Sequence, residues 1–191
     1  MTKTELEQKF DKFLSDWNNK QIEAVDPTSP FQCFDLVVKW CDYLGIPRQP
    51  GGGSIFPFWG ASQIYTDFGA LQAKYFDRIP NTPDAVSQKG DILVWRWDYP
   101  GTSGAGHTAV DAEGSTLYTV KAFSQNNPKY RLSVIASFPY AYILGWLRFK
   151  TTGVSIPLTD TQKVNAITKE MQSGNADADK VKHTKEILGL A

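Results

Sequence analysis

Pro30-Phe31-Gln32-Cys33-Phe34-Asp35-Leu36-Val37-Val38-Lys39-Trp40-Cys41-Asp42-Tyr43-Leu44-Gly45 is the stretch that decides how this chain folds. Ser29 ahead of it is a good N-cap, Pro30 suits the first helical position, and Gln32 stands three after Ser29. That pattern predicts a helix from about Pro30 to Leu44, closed by Gly45 and then Pro47. Cys33 falls in its first turn, where unpaired N–H groups and the helix dipole favour an anion. A thiolate there is expected to have a lowered pKa, the reactive form of cysteine. Gln32 can either give an amide N–H to a developing oxyanion or serve the helix cap. Cys41 lies eight residues on, ~12 Å along a helix, which is beyond the ~7 Å a disulfide spans. It reads as a small buried hydrophobe.

Outward from this helix, the 6 Trp, 8 Tyr and 11 Phe of the 191 residues all fall between Phe10 and Phe149. An aromatic body of residues 1–150 is thereby set apart from a tail, 151–191. Leu6, Phe10, Phe13, Leu14 and Trp17 share one face of a predicted helix over 5–19, with Thr4 and Glu7 as its capping box. Residues 48–60, with Gly51-Gly52-Gly53-Ser54, read as a loop on the rim of a cleft, walled by Phe56, Phe58 and Trp59. A further helix is predicted over 61–76, with Ile64, Phe68, Leu71 and Tyr75 on one side.

After Pro80 come short apolar runs rich in β-branched and aromatic residues: Ile92–Trp97, His107–Ala112, Thr116–Phe123, Leu132–Ser137 and Tyr142–Phe149. Glu113-Gly114 looks like a hairpin turn. Helices followed by antiparallel strands is an α+β layout. The tail holds two short helical patterns, about 159–172 and 176–188, divided by Ser173-Gly174-Asn175, with too few apolar residues for a core of its own. It is expected to dock as a helical pair, to bind a partner or a second copy, or to be partly disordered.

Lys plus Arg and Asp plus Glu number 20 each, for a net charge of zero, which argues against a nucleic-acid binder. No apolar run approaches the ~20 residues of a membrane span. The polar start Met1-Thr2-Lys3-Thr4-Glu5 has no apolar segment of the secretory type. No C-x-x-C occurs, and His107 and His183 are far apart, so no zinc site is expected.

A nucleophilic cysteine needs a base, a group to orient the base, and an oxyanion donor. His107, in Gly106-His107-Thr108-Ala109-Val110, is the body's one histidine. The successive motifs Phe31-Gln32-Cys33-Phe34-Asp35-Leu36, Gly90-Asp91-Ile92-Leu93-Val94-Trp95, Gly106-His107-Thr108-Ala109-Val110, Ser124-Gln125-Asn126 and Ile143-Leu144-Gly145-Trp146-Leu147-Arg148 resemble those of the CHAP domain. That family comprises the cysteine-, histidine-dependent amidohydrolases/peptidases of phage endolysins, in the papain-like NlpC/P60 superfamily. The resemblance covers roughly residues 25–150.

The resemblance implies a papain-like CHAP fold, with N-terminal helices packed on an antiparallel sheet, and a peptidoglycan hydrolase that cleaves peptide-stem or cross-bridge amides. It makes residues 1–150 the catalytic domain and leaves 151–191 as a helical tail for a partner, wall-binding or oligomerisation. Cys33 matches the nucleophile, His107 the base and Gln32 the oxyanion position. Asn126 is expected to orient the imidazole, and Ser124, where many members carry an acid, or a backbone group is the fallback. Trp59, Phe58 and Trp95 are expected to contact substrate. No cofactor is expected. Calcium, which some members bind, would have only Asp26 and Asp35 here, short of the six to eight oxygens that ion takes. The implied setting is a host cytoplasm until holin-mediated release, or a virion. The alternatives are a virion-associated tail lysin or a non-catalytic wall-binding or structural module that kept the fold.

Overall fold

The computed structural model describes residues 1–25, 31–56, 59–129 and 131–152. Ser29 and Pro30 as helix starters, Asp26, Phe58 and the helices expected at 159–172 and 176–188 lie outside the described residues. The compact body runs from Met1 to Thr152. Its two ends meet, because the Thr152 N–H donates to the Met1 carbonyl at 2.9 Å.

Helix α1 spans Lys3–Trp17, two residues earlier than expected at each end, and its capping box is Thr2 with Glu5 rather than Thr4 with Glu7. The Glu5 N–H donates to Thr2 Oγ1 and the Thr2 N–H returns to Glu5 Oε2 at 2.7 Å. Helix α2 spans Cys33–Leu44, and Gly45, in the left-handed region at φ 78°, closes it. It begins three residues later than Pro30. Phe31 has a positive φ of 61° and Gln32 is extended, so neither continues a helix. The Asp35 carboxylate takes the Gln32 N–H at 2.8 Å and makes Gln32 the N-cap.

The helix predicted over 61–76 is broken into two single turns, α3 (Gln63–Thr66) and α4 (Ala70–Ala73), and is followed by strand β1 (Phe76–Pro80). The remaining strands are β2 (Ile92–Trp95), β3 (His107–Asp111), β4 (Thr119–Ser124), β5 (Val134–Pro139) and β6 (Ile143–Phe149). They form one antiparallel sheet in the order β1-β6-β2-β3-β4-β5. Glu113 and Gly114 both have positive φ, at 73° and 85°, but they are not the expected hairpin turn. The Ala112 N–H donates to the Lys121 carbonyl at 2.9 Å and the Thr116 N–H to the Thr119 carbonyl at 2.8 Å, so the chain reverses at Leu117-Tyr118. The fold is α+β, helices against an antiparallel sheet.

Both faces of the sheet are covered. Ile92, Val94, Val110, Phe123 and Leu147 pack against Phe10, Phe13 and Trp40 of the helices. Phe13 lies edge-on to Phe123 at 5.5 Å and tilted on Trp40 at the same distance. The alternate residues, Leu93, Trp95, Ala109, Val120, Ala122 and Trp146, turn to the other face and join Phe138. Burial on both sides explains why β2 reads as a continuous apolar run rather than an alternating one, and in β3 it encloses His107, Thr108 and Asp111 along with Ala109 and Val110.

The motif glycines are dictated by close approach. A Cβ on Gly106, at φ 74°, would lie 2.6 Å from the Trp95 carbonyl oxygen, and one on Gly145 would lie 2.2 Å from that of Ile79. The Gly90-Asp91 motif meets the last one through an ion pair. Arg148 Nε and Nη2 donate to the two oxygens of buried Asp91 at 3.0 and 2.7 Å.

Burial pushes the Asp91 carboxyl up to about 6 against the pull of Arg148. Replacing Arg148 by Met leaves that charge buried and unpaired and is expected to cost about 3 kcal/mol. With its folded pKa above the unfolded one, Asp91 contributes stability that is lost as pH rises from about 4 through 6. The Arg148→Met penalty is therefore expected to be larger at pH 7.5 than at pH 5, as measured by urea unfolding at both.

Candidate active site

Cys33 is the first residue of α2 and half-buried. The β3–β4 ladder pairs only Val110 with Phe123 and Asp111 with Ala122. The preceding residues of β3 are left to face the first turn of the helix, and the Thr108 N–H is directed at the Cys33 sulfur. The sulfur thus lies against the peptide that follows His107. Burial nevertheless pushes the Cys33 thiol up to about 11, with Asp35 adding to the rise. The N–H groups of Thr108, Phe34 and Cys33 itself pull the other way without overcoming it. The lowered pKa expected from the helix terminus alone is therefore not met, because removing a thiolate from water outweighs those donors here.

His107 is buried at the start of β3, and burial alone takes its imidazole down to about 3. Its ring packs on Trp95 at 5.2 Å and on Tyr99 and Phe138 at 6.2 Å each. Ser124 Oγ is hydrogen-bonded to its Nε2 at 2.9 Å, which leaves Nδ1 for proton transfer. At neutral pH the resting site holds a neutral thiol and a neutral imidazole.

The structure reassigns several expected residues. Ser124, the fallback, is the side chain on the imidazole, for a simple reason. Val120, Ala122 and Ser124 alternate onto the sheet face that carries Ala109 and His107. Asn126 is instead turned to Gln32, donating from Nδ2 to Gln32 Oε1 at 3.0 Å. Gln32 is exposed, and its side chain is held through Oε1 by Asn126. The helix cap rests on the Gln32 backbone and the Asp35 carboxylate rather than on this amide.

Trp95, expected on the substrate wall, has no exposed surface and serves as the floor beneath His107. Phe56 is likewise buried, stacked on Phe76 at 5.9 Å. Trp59 is 88% exposed. Its neighbour Gly60 lies against Ala105, and the Ser62 N–H donates to the Ala105 carbonyl at 3.1 Å. That clip holds the segment beside the approach to His107.

Asp35 is buried and spent on the backbone: Oδ1 accepts from Ala24 and Val25 at 3.2 and 3.1 Å, and Oδ2 from Gln32. Burial pushes its carboxyl up to about 6. Among the described residues no group of three or more His, Cys, Asp or Glu is placed to hold a metal ion, and Asp35 with its three N–H donors does not offer a hard-cation shell. Sequence reasoning missed Tyr99 and Phe138 around the imidazole. Tyr99 is linked onward to Asn127, whose Nδ2 donates to its hydroxyl at 3.4 Å.

The sequence matches no family profile and no curated protein. Among solved structures, the wild-type endolysin LysIME-EF1 superposes with a TM-score of 0.57 at 18% identity, over 97% of each chain. The match shows a shared fold. Ly7917 with the hydrolyzing product of MDP gives 0.48 at 12% identity, covering 75% of this chain and 62% of that one. An NLP/P60-family protein similar to lipoprotein, from Staphylococcus aureus, gives 0.42 at 15% identity, covering 78% and 42%.

Because the thiol titrates near 11, iodoacetamide modification of native Cys33 is expected to rise about tenfold per pH unit from pH 7 to 10. Peptide mass spectrometry follows the rate. A plateau across pH 5–8 would instead indicate a preformed thiolate. Cys41, buried and also pushed upward by burial, is expected to stay unmodified.

Proposed function

We propose that the chain is a peptidoglycan hydrolase of the CHAP type that cleaves amide bonds of the wall peptide by a cysteine–histidine mechanism. The observation that carries this reading is the placement of the Cys33 sulfur at a helix N-terminus against Thr108, next to a buried His107 oriented by Ser124. The fold shared with an endolysin along nearly the whole chain supports it.

In this reading the Cys33 sulfur attacks the amide carbonyl as its proton passes to His107 Nδ1. A neutral pair requires that the two events be coupled, and holding the imidazole by Nε2 keeps one tautomer in place for the transfer. The oxyanion that forms is taken by the N–H of Cys33 in the first turn of α2, with the Gln32 side chain as the second group beside it. The imidazolium then protonates the leaving amine, which departs as the Cys33 thioester forms. Neutral His107 next takes a proton from water, and hydrolysis of the thioester regenerates the thiol. Trp59 forms the rim over which the glycan or stem peptide passes.

Residues 151–191 carry none of these groups. In this reading they serve wall attachment, a partner or self-association, in a lysin released by a holin or carried on a virion.

Cys33→Ala is expected to abolish amino-group release from purified sacculi while circular dichroism and Tm are retained. Ser124→Ala frees the imidazole and is expected to lower the rate about tenfold. Wild-type activity in Cys33→Ala would overturn the mechanism. Mass spectrometry of the digest separates cleavage next to the sugar, an N-acetylmuramoyl-L-alanine amidase, from cleavage within the peptides. Truncation after Thr152 is expected to weaken sedimentation with sacculi or alter the native mass; no change in either would remove the tail from this account.

A further inference from the structure

We infer that Gln125 is a positioning residue that aims the oxyanion N–H of Cys33. The inference rests on the proposed acyl-transfer reading. Gln125 follows β4 directly and is completely buried. Its Oε1 accepts from the Ile22 N–H at 2.6 Å and lies 3.0 Å from Ser133 Oγ, whose single proton it shares with the Lys20 carbonyl at 2.7 Å. Its Nε2 donates to the Ile22 carbonyl at 2.9 Å and to the Gln32 carbonyl at 3.0 Å. The amide orientation is fixed by this pattern, since the flipped form would set an NH2 against an N–H and an oxygen against two carbonyls.

The bond to Gln32 falls on the peptide that joins Gln32 to Cys33. The same carbonyl accepts from the Asp35 N–H at 3.1 Å, so both of its lone pairs are taken. In a trans peptide the C=O and the following N–H lie in one plane and point in opposite directions. Fixing the Gln32 carbonyl from two sides therefore fixes the direction of the Cys33 N–H. Ile22 and Ser133 anchor the other sides of the amide, so Gln125 cannot follow the helix if the helix shifts.

Ser124, Gln125 and Asn126 thus act in sequence: on the imidazole, on the Gln32–Cys33 peptide and on the Gln32 side chain. One tripeptide sets base and oxyanion donors in a common frame.

The test compares two reactions of the same sulfur in Gln125→Met, which keeps the side-chain volume and removes both donors. Iodoacetamide alkylation of Cys33 makes no oxyanion, whereas amide hydrolysis of purified sacculi does. The rate at saturating sacculi is expected to fall roughly tenfold or more, with the half-saturating amount and the alkylation rate held within about twofold. Equal loss in both reactions, or no loss in either, overturns the inference. Should Gln125→Met not fold, Ser133→Ala loosens the same amide from its other side. A smaller drop in hydrolysis with unchanged alkylation is then expected, and an unchanged ratio counts against the role. Cys33→Ala run alongside separates the two claims: if it keeps wild-type hydrolysis the cysteine mechanism fails, whatever Gln125 does.

Discussion

The site depends on how the first turn of α2 is held against the sheet. A helix start leaves N–H groups without intrahelical partners, and here they sit beside the sulfur of the first helical residue. To stay in that place the turn must be fixed by groups outside the helix. The Asp35 carboxylate takes the Gln32 N–H, Gln125 takes the Gln32 carbonyl, and Asn126 takes the Gln32 side chain. All three bear on the residue immediately before Cys33. The short β3–β4 ladder leaves the start of β3 to meet the helix, and His107 begins that strand.

The same enclosure sets the electrostatics. Burial opposes charge on Cys33 and His107 alike, so the resting site is neutral. A neutral thiol is protected from adventitious oxidation and alkylation, and becomes a nucleophile only where a base removes its proton. The aromatic side chains of Trp95, Tyr99 and Phe138 bury the imidazole, and Ser124 compensates with one hydrogen bond.

Much of this was legible in the sequence where local signals and tertiary demands agree. The apolar runs of β2, β3 and β6 and the close of α2 at Gly45 are such places. So is the position of Cys33 in a first turn. The signals failed where two readings compete. Thr2 with Glu5 and Thr4 with Glu7 are both capping boxes, and the first won because α1 begins at Lys3. Ser29 with Gln32 competed with Gln32 and Asp35, and the left-handed backbone of Phe31 decided for the second. Strand β1 was hidden because Phe76 extends the spacing of Ile64, Phe68 and Tyr75, while the strand itself lies at the sheet edge with Asp77 and Arg78 exposed. In the site, Ser124 over Asn126 follows from strand alternation once the register of β4 is known. Gln125 gave no sequence signal, because its partners Ile22, Gln32 and Ser133 meet it only through the fold.

The most direct test of the account is hydrolysis of purified sacculi by protein whose Cys33 has been progressively and then completely alkylated, with the modified fraction read by peptide mass spectrometry. The account predicts that activity falls in proportion to that fraction and vanishes at completion. Retention of the starting rate with Cys33 fully blocked would contradict it.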